Sequence, residues 1–158
     1  MLYLGAMAVI FAAFLIWKEY SSYLSGQLQI CRSFLDALRD FSEKVRCYLT
    51  SPKEWAGEYS DEHIQGFLDA VGGGESLLLA YAKEKSGWCI AQSFDDALVA
   101  CFSRIGDGDL TAEIGTLEIA IGKLSRAEST LAEELVKKRK AVGAILGACA
   151  SGIVILVI

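Results

Sequence analysis

Residues 110–158 read LTAEIGTLEIAIGKLSRAESTLAEELVKKRKAVGAILGACASGIVILVI, and this stretch decides the fold of the chain. Its apolar residues first recur at alternating spacings of four and three, the heptad pattern of a helix that packs along one seam. The seam consists of Leu110, Ile114, Leu117, Ile121, Leu124, Leu131 and Leu135. No proline interrupts the stretch, so we predict one helix that runs unbroken from Leu110 into the uncharged end of the chain.

The end of this helix is predicted to cross a membrane. Residues 141–158 contain no charged side chain, and a basic cluster precedes them directly. Such a cluster beside an apolar span marks the cytoplasmic side of the bilayer. The same cluster could contact anionic lipid or an acidic partner, or form only a solvated turn. The four residues that we expect to orient the span are Lys137, Lys138, Arg139 and Lys140.

Small residues recur within the predicted C-terminal span. Gly143, Gly147 and Ser151 lie four residues apart. Rows of this kind let helices approach closely in lipid, although small residues are common in membrane helices generally. We expect the row to pack helices together within the membrane, against either the first span, through Ala8 and Ala12, or a second copy of the chain.

The N-terminal segment, MLYLGAMAVIFAAFLIW at residues 1–17, is also free of charge. As a helix it would extend about 25 Å, somewhat short of a hydrocarbon core of about 30 Å. A cleaved signal peptide is the alternative, but no Lys or Arg precedes the apolar core and the residues after Trp17 make a poor cleavage site. We therefore predict a retained transmembrane helix at 1–17, which leaves residues 18–140 in the cytoplasm.

The residues between the two spans predict an all-α domain. A second heptad seam predicts that the first helix continues to about residue 49, and its members are Leu24, Leu28, Cys31, Leu35, Leu38, Val45 and Leu49. Phe34, Phe41 and Tyr48 form a parallel row. The predicted fold is an antiparallel helical bundle in which two long helices continue into the N- and C-terminal transmembrane spans.

Shorter elements are predicted between the long helices. Ser51-Pro52 begins a predicted loop with Trp55 packed on the bundle, and three short helices follow at about residues 61–71, 75–85 and 93–105. Ser93 is the expected N-cap of the third, and residues 106–109 are a predicted turn whose Asp109 caps the last helix. Gly115, Gly122, Ser129 and Gly143 form a second heptad row of small residues, which permits close approach of another helix.

Composition excludes some functions. The net charge is -5 and the pI is about 4.9, which argues against a nucleic-acid-binding domain because such domains need a basic face. The five cysteines are odd in number and contain no CxxC pair, which favours reduced, buried thiols over a disulfide framework.

No pattern in the sequence predicts catalysis. His63 is the only histidine and is expected to be a solvated surface residue. Gly72-Gly73-Gly74 lacks the lysine and the preceding strand of a phosphate-binding loop. The acidic stretch around Asp107 has Ala112 where a calcium loop needs glycine. We therefore predict no enzymatic activity, no cofactor and no metal site.

The chain resembles the stage III sporulation protein AB family. Residues 94–98, FDDAL, are similar to the helix that precedes that family's last turn, and residues 105–109, IGDGD, resemble the turn itself. The long helix after Leu110 then enters a terminal anchor, as in the family. The sequence departs from the family where Ile105 replaces a leucine and where Gly115 and Gly122 punctuate the long helix.

The resemblance implies a soluble part similar to the helical cytoplasmic domain of the type II secretion F platform protein. It implies a structural role in endospore formation, within a secretion-like channel of membrane proteins that links mother cell and forespore. It also implies a position in the outer forespore membrane, beside other proteins of that assembly and a cytoplasmic ATPase. The alternative is a membrane-anchored adaptor or regulator of another membrane complex, unrelated to sporulation.

Overall fold

The computed structural model describes residues 2–88, 90–105 and 110–157, and these residues are helical without a strand. The predicted all-α class is therefore confirmed for the described chain. Six α-helices and one 3-10 turn at Lys85–Gly87 make up the structure. The helices are α1 (Leu2–Tyr48), α2 (Pro52–Glu58), α3 (Gln65–Gly72), α4 (Leu77–Glu84), α5 (Gln92–Phe102) and α6 (Leu110–Val157).

The chain divides into two compact units, residues 27–130 and residues 1–26 with 131–158. Within the first unit, Arg32 of α1 bonds to Glu128 of α6 at 2.8 Å, and Arg46 bonds to Glu118. The α1 numbers rise while the α6 numbers fall, so the two long helices are antiparallel there, as predicted. Both helices are unbroken, which confirms the prediction drawn from their seams.

The core of residues 27–130 is aromatic and centres on Phe34, which is 1% exposed. Four rings from the shorter elements surround it, with ring centroids between 5.1 and 6.4 Å away. They belong to Phe67, Tyr81, Trp88 and Phe102. Edge-to-face aromatic packing adds to the free energy of burying these rings. Phe34, from the row parallel to the α1 seam, therefore joins the shorter elements to the bundle.

The predicted loop after Ser51 is wrong, because these residues form α2. Ser51 is the N-cap: its hydroxyl accepts from the Glu54 backbone N–H at 3.3 Å, and its own N–H donates to the Glu54 carboxylate at 3.1 Å. The bond from Ser51 lowers the pKa of Glu54. Pro52 fits the first helical position, where no N–H bond is needed. Trp55 is buried against Phe41, with ring centroids 4.9 Å apart, which confirms its predicted packing.

Helix boundaries elsewhere differ from the sequence-based ones by a few residues. Helix α3 begins at Gln65 rather than near residue 61, since Asp61 accepts from the His63 backbone N–H at 2.8 Å and forms a turn. Helix α5 begins at Gln92 behind Ala91, so Ser93 lies within the helix and does not cap it. The predicted turn at residues 106–109, with its cap Asp109, lies outside the described residues.

Among the described residues, no helix of this chain approaches α6 at Gly115 or Gly122, whereas Gly143 of the same row has Trp17 of α1 as a neighbour. A side-chain carbon added at Gly115 or at Gly122 would meet no described atom within 4 Å. Both positions therefore face open space.

In the unit of residues 1–26 and 131–158, α1 and α6 are again antiparallel. Arg139 meets Ser21 and Ser25, and Gly143 lies beside Trp17. None of the described helices has a stretch with the length and apolarity needed to cross a bilayer.

Candidate functional site

The four residues of the predicted basic cluster on α6 differ in their exposure to solvent. Lys137, Lys138 and Lys140 are exposed, and Lys138 lies 3.7 Å from Glu134 one turn earlier. Arg139 is half-buried, and its Nη2 donates to the Ser21 carbonyl at 2.9 Å and to the Ser25 hydroxyl. Arg139 thus ties α6 to α1, while the three lysines face outward as a basic patch.

The predicted packing row in the last span is only partly directed at α1. A side-chain carbon at Gly143 would lie 3.7 Å from the Trp17 indole nitrogen, an ordinary contact. Gly147 has open space around it, and the Ser151 hydroxyl donates to the Gly147 carbonyl of its own helix at 2.8 Å. On α1 it is Ala13, rather than the exposed Ala12, that shares a cleft with Gly143. The packing role of the row Gly143, Gly147 and Ser151 in a membrane stays a prediction.

A groove between α5 and α6, which the sequence did not predict, lies within residues 27–130. Its volume is about 400 Å³. Small residues line both walls, so the two helices leave a space that larger side chains would fill. The lining residues are Ser93, Asp96, Ala97, Ala100, Cys101, Arg104, Thr116, Ile119, Ala120, Lys123 and Ala127.

The rim of this groove, which we call the α5–α6 groove, is charged and its centre is apolar. Ile119 is 63% exposed on α6, a high value for a large aliphatic side chain. Asp96 accepts from the Gln92 side chain at 2.8 Å. Arg104 and Lys123 are exposed and make no ion pair within the described residues. An apolar centre with a charged rim is the usual anatomy of a protein interface.

A buried polar cluster joins α4 to α5. Tyr81 is 0% exposed, and its hydroxyl donates to the Asp95 carboxylate at 2.7 Å. The Lys85 ammonium lies 3.1 Å from the other Asp95 oxygen. The Tyr81 bond, helped by Lys85 and opposed by burial, lowers the pKa of Asp95, while burial raises that of Tyr81. The Tyr81 hydroxyl, the Asp95 carboxylate and the Lys85 ammonium all have partners. The role of this cluster is therefore to hold α4 and α5 together.

The groups with nucleophilic chemistry lie apart. Burial raises the pKa of Cys31 and of Cys101 to about 12, which keeps both thiols protonated and inert. Cys47 and Cys149 are exposed, which corrects the expectation that the thiols are buried, and Cys89 lies outside the described residues. His63 is partly exposed, with Glu62 at 3.5 Å. No group of metal ligands assembles among the described residues.

Comparison with solved structures identifies the fold. A solved structure of stage III sporulation protein AB (SpoIIIAB) matches this chain with a TM-score of 0.55 at 14% sequence identity. The match covers 70% of this chain and 97% of that one. This chain has the SpoIIIAB fold. No protein-family model matches the sequence, and no curated protein matches it.

The likeness confirms the resemblance seen in the sequence at the level of fold. It covers 97% of the SpoIIIAB chain and 70% of this chain, so the two structures share their fold over the greater part of both. The α5–α6 groove could not be predicted from the sequence because its walls come from different helices. The signal was present in Ala97 with Ala100, one turn apart on α5, and Ala120 with Ala127, two turns apart on α6.

Proposed function

We propose that the chain is a structural membrane component of a sporulation assembly that links mother cell and forespore. The observation that carries this proposal is the SpoIIIAB fold, matched over 97% of that chain. In this role the protein is a platform that binds other membrane proteins of the channel and its cytoplasmic ATPase, and it needs no catalytic group or cofactor of its own.

Membrane attachment is proposed through the uncharged ends of the two long helices, residues 1–17 and 141–158. The antiparallel pairing of α1 with α6 supports it, since a helix pair can satisfy its backbone internally and bury its small residues against each other. Lys137, Lys138 and Lys140 face outward, where they can meet anionic lipid headgroups on the cytoplasmic side. Residues 18–140 then lie in the cytoplasm.

Arg139 supports the same arrangement. It is the member of the basic cluster that turns inward, where it bonds to the last α1 turns before Gly26. The Arg139 guanidinium donates to the Ser21 carbonyl and the Ser25 hydroxyl. It therefore links α1 to α6 just outside the two uncharged segments, residues 1–17 and 141–158. Such a link fixes the register of the paired ends.

The test is deletion of the gene in its own host. We expect loss of heat-resistant spores, restored by the intact gene and not by a gene that lacks the codons for residues 141–158. Affinity purification from membranes of sporulating cells should recover membrane proteins of the assembly or its ATPase. Normal spore counts after deletion would contradict the proposal and favour an adaptor for another membrane complex. Self-association would appear as tagged and untagged copies recovered together.

A further inference from the structure

The α5–α6 groove exposes apolar surface that no residue of the described ranges covers. Its α6 wall runs from Thr116 to Ala127, about three helical turns. Ile119 stands 63% exposed at this wall, while Ala97 and Ala100 form part of the opposite side. The space lies between two helices, and a third helix is the element that fits such a groove, with side chains at every third and fourth position.

Two glycines beside Ile119, outside the lining of the groove, leave room on α6 for the backbone of another helix. Gly115 and Gly122 flank Ile119 at spacings of four and three residues, so the three share a helix face. Glycine destabilises a helix relative to alanine, and neither glycine relieves a contact with any described residue. A helix of another molecule that packs across Ile119 would use the space that they leave.

The charges beside the groove favour an acidic occupant. Lys123 and Arg126 follow Ile119 by four and seven residues and are exposed on the same side of α6. Neither makes an ion pair with a described residue. Arg104 adds a third cation at the rim, and Asp96, the carboxylate among the lining residues, keeps its charge when it accepts from the neutral Gln92 amide, so cations still outnumber carboxylates there. This basic surface on a chain of net charge -5 is complementary to a partner with acidic flanks.

We propose that the α5–α6 groove binds an amphipathic helix of another protein, one that carries small and apolar residues along its seam and Asp or Glu beside it. This inference deepens the proposed function, on which it rests, by naming the platform surface and the chemistry of its partner. Cation–carboxylate pairs at the rim would set the orientation of the bound helix, and Ile119 would be its apolar anchor.

A second copy of the chain fits this surface poorly. In an antiparallel pairing of two α6 helices centred on Ile119, Lys123 would face Gly115 of the other copy and Arg126 would face Ala112. No carboxylate would meet either cation. The charges therefore favour a different protein over this pairing of two α6 helices.

The test places a photo-crosslinking amino acid at Ile119 of the full-length chain, expressed in its own host, with Leu79 as the matched control site. Leu79 on α4 is 51% exposed and lies outside the groove. We expect crosslinks at position 119 to a segment of another protein with a heptad apolar pattern and net negative charge, and not at position 79. The double change Lys123→Glu with Arg126→Glu should lower the crosslink yield about tenfold.

Several results would overturn the inference. These are crosslinks to the chain itself or to lipid, a crosslinked segment that is basic, an equal yield at both sites, or an unchanged yield after charge reversal. An absence of protein crosslinks at position 119 would also overturn it. Far-UV circular dichroism of each variant verifies that it is folded. Because spore formation is scored separately, a deletion without a sporulation defect would contradict the proposed function even where the groove is occupied.

Discussion

The hydrogen bond from Tyr81 to Asp95 offers a quantitative test of how α4 is joined to α5. The change Tyr81→Phe removes one hydroxyl from a side chain that is 0% exposed and leaves the ring in place. The lost bond is 2.7 Å long and has a charged acceptor. Bonds of that kind contribute about 1.5–3 kcal/mol to stability.

The expected loss lies at the low end of this range. Lys85 still contacts Asp95 at 3.1 Å in the variant, and the Asp95 side chain is 20% exposed, so water can replace part of the lost bond. We therefore expect Tyr81→Phe to lower the free energy of unfolding by about 1.5 kcal/mol. For a chain of this size that corresponds to a melting temperature lower by roughly 5 °C.

The measurement is thermal and urea unfolding of the purified full-length protein in detergent, followed by near-UV circular dichroism. Tyr48→Phe is the matched control, since it makes the same chemical change at a side chain that is 79% exposed. The control should unfold like the wild type. An equal loss of unfolding free energy in both variants, or no loss in Tyr81→Phe, would show that the bond from Tyr81 to Asp95 does not stabilise the fold.

The same bond predicts a pH dependence. The pKa of Asp95 is lower in the folded protein than in the unfolded chain, so its ionised form stabilises the fold. That stabilisation is complete above the unfolded pKa, about 4, and is lost as pH falls through the folded value. The stability difference between wild type and Tyr81→Phe should therefore narrow between pH 7 and about pH 3. A difference that widens with acid would contradict this.

Two further predictions concern thiols and backbone conformation. In the native protein a maleimide should modify Cys47 rapidly and Cys31 and Cys101 only after denaturation, as followed by mass spectrometry; fast native labelling of either buried thiol would contradict the packing. Gly74→Ala should destabilise the fold by about 1–2 kcal/mol because its φ is +101°, whereas Gly87→Ala should be near neutral. Equal unfolding midpoints in urea for the two variants would show that the positive φ is not required.

The long helices were predictable because their seams are continuous and no proline interrupts them. Helix α2 was missed because Ser51-Pro52 also marks turns, and the decisive feature is the reciprocal bond between Ser51 and Glu54. The start of α3 depends on the turn bond between the His63 N–H and Asp61, and α5 begins behind Ala91 without a side-chain cap. Neither boundary has a distinct pattern in the sequence.

The candidate groove could not be predicted in the same way. Its walls are built from residues in α5 and α6 that become neighbours only when the bundle forms, so periodicity along one helix does not reveal it. Gly115 and Gly122 were recognised as part of a row that permits close helix approach, but the pattern does not indicate whether the other helix belongs to this chain. Only the position of neighbouring helices distinguishes an internal contact from an open face.

The most direct test of a membrane-held platform is the labelling of Cys47 by an impermeant maleimide in intact cells, with Cys89 and Cys149 replaced by serine. The chain is then recovered from carbonate-washed membranes. The account predicts that the chain stays in the membrane fraction and that Cys47 is labelled only after the cells are permeabilised, because residues 18–140 lie in the cytoplasm. Release of the chain by carbonate, or labelling of Cys47 in intact cells, would contradict it.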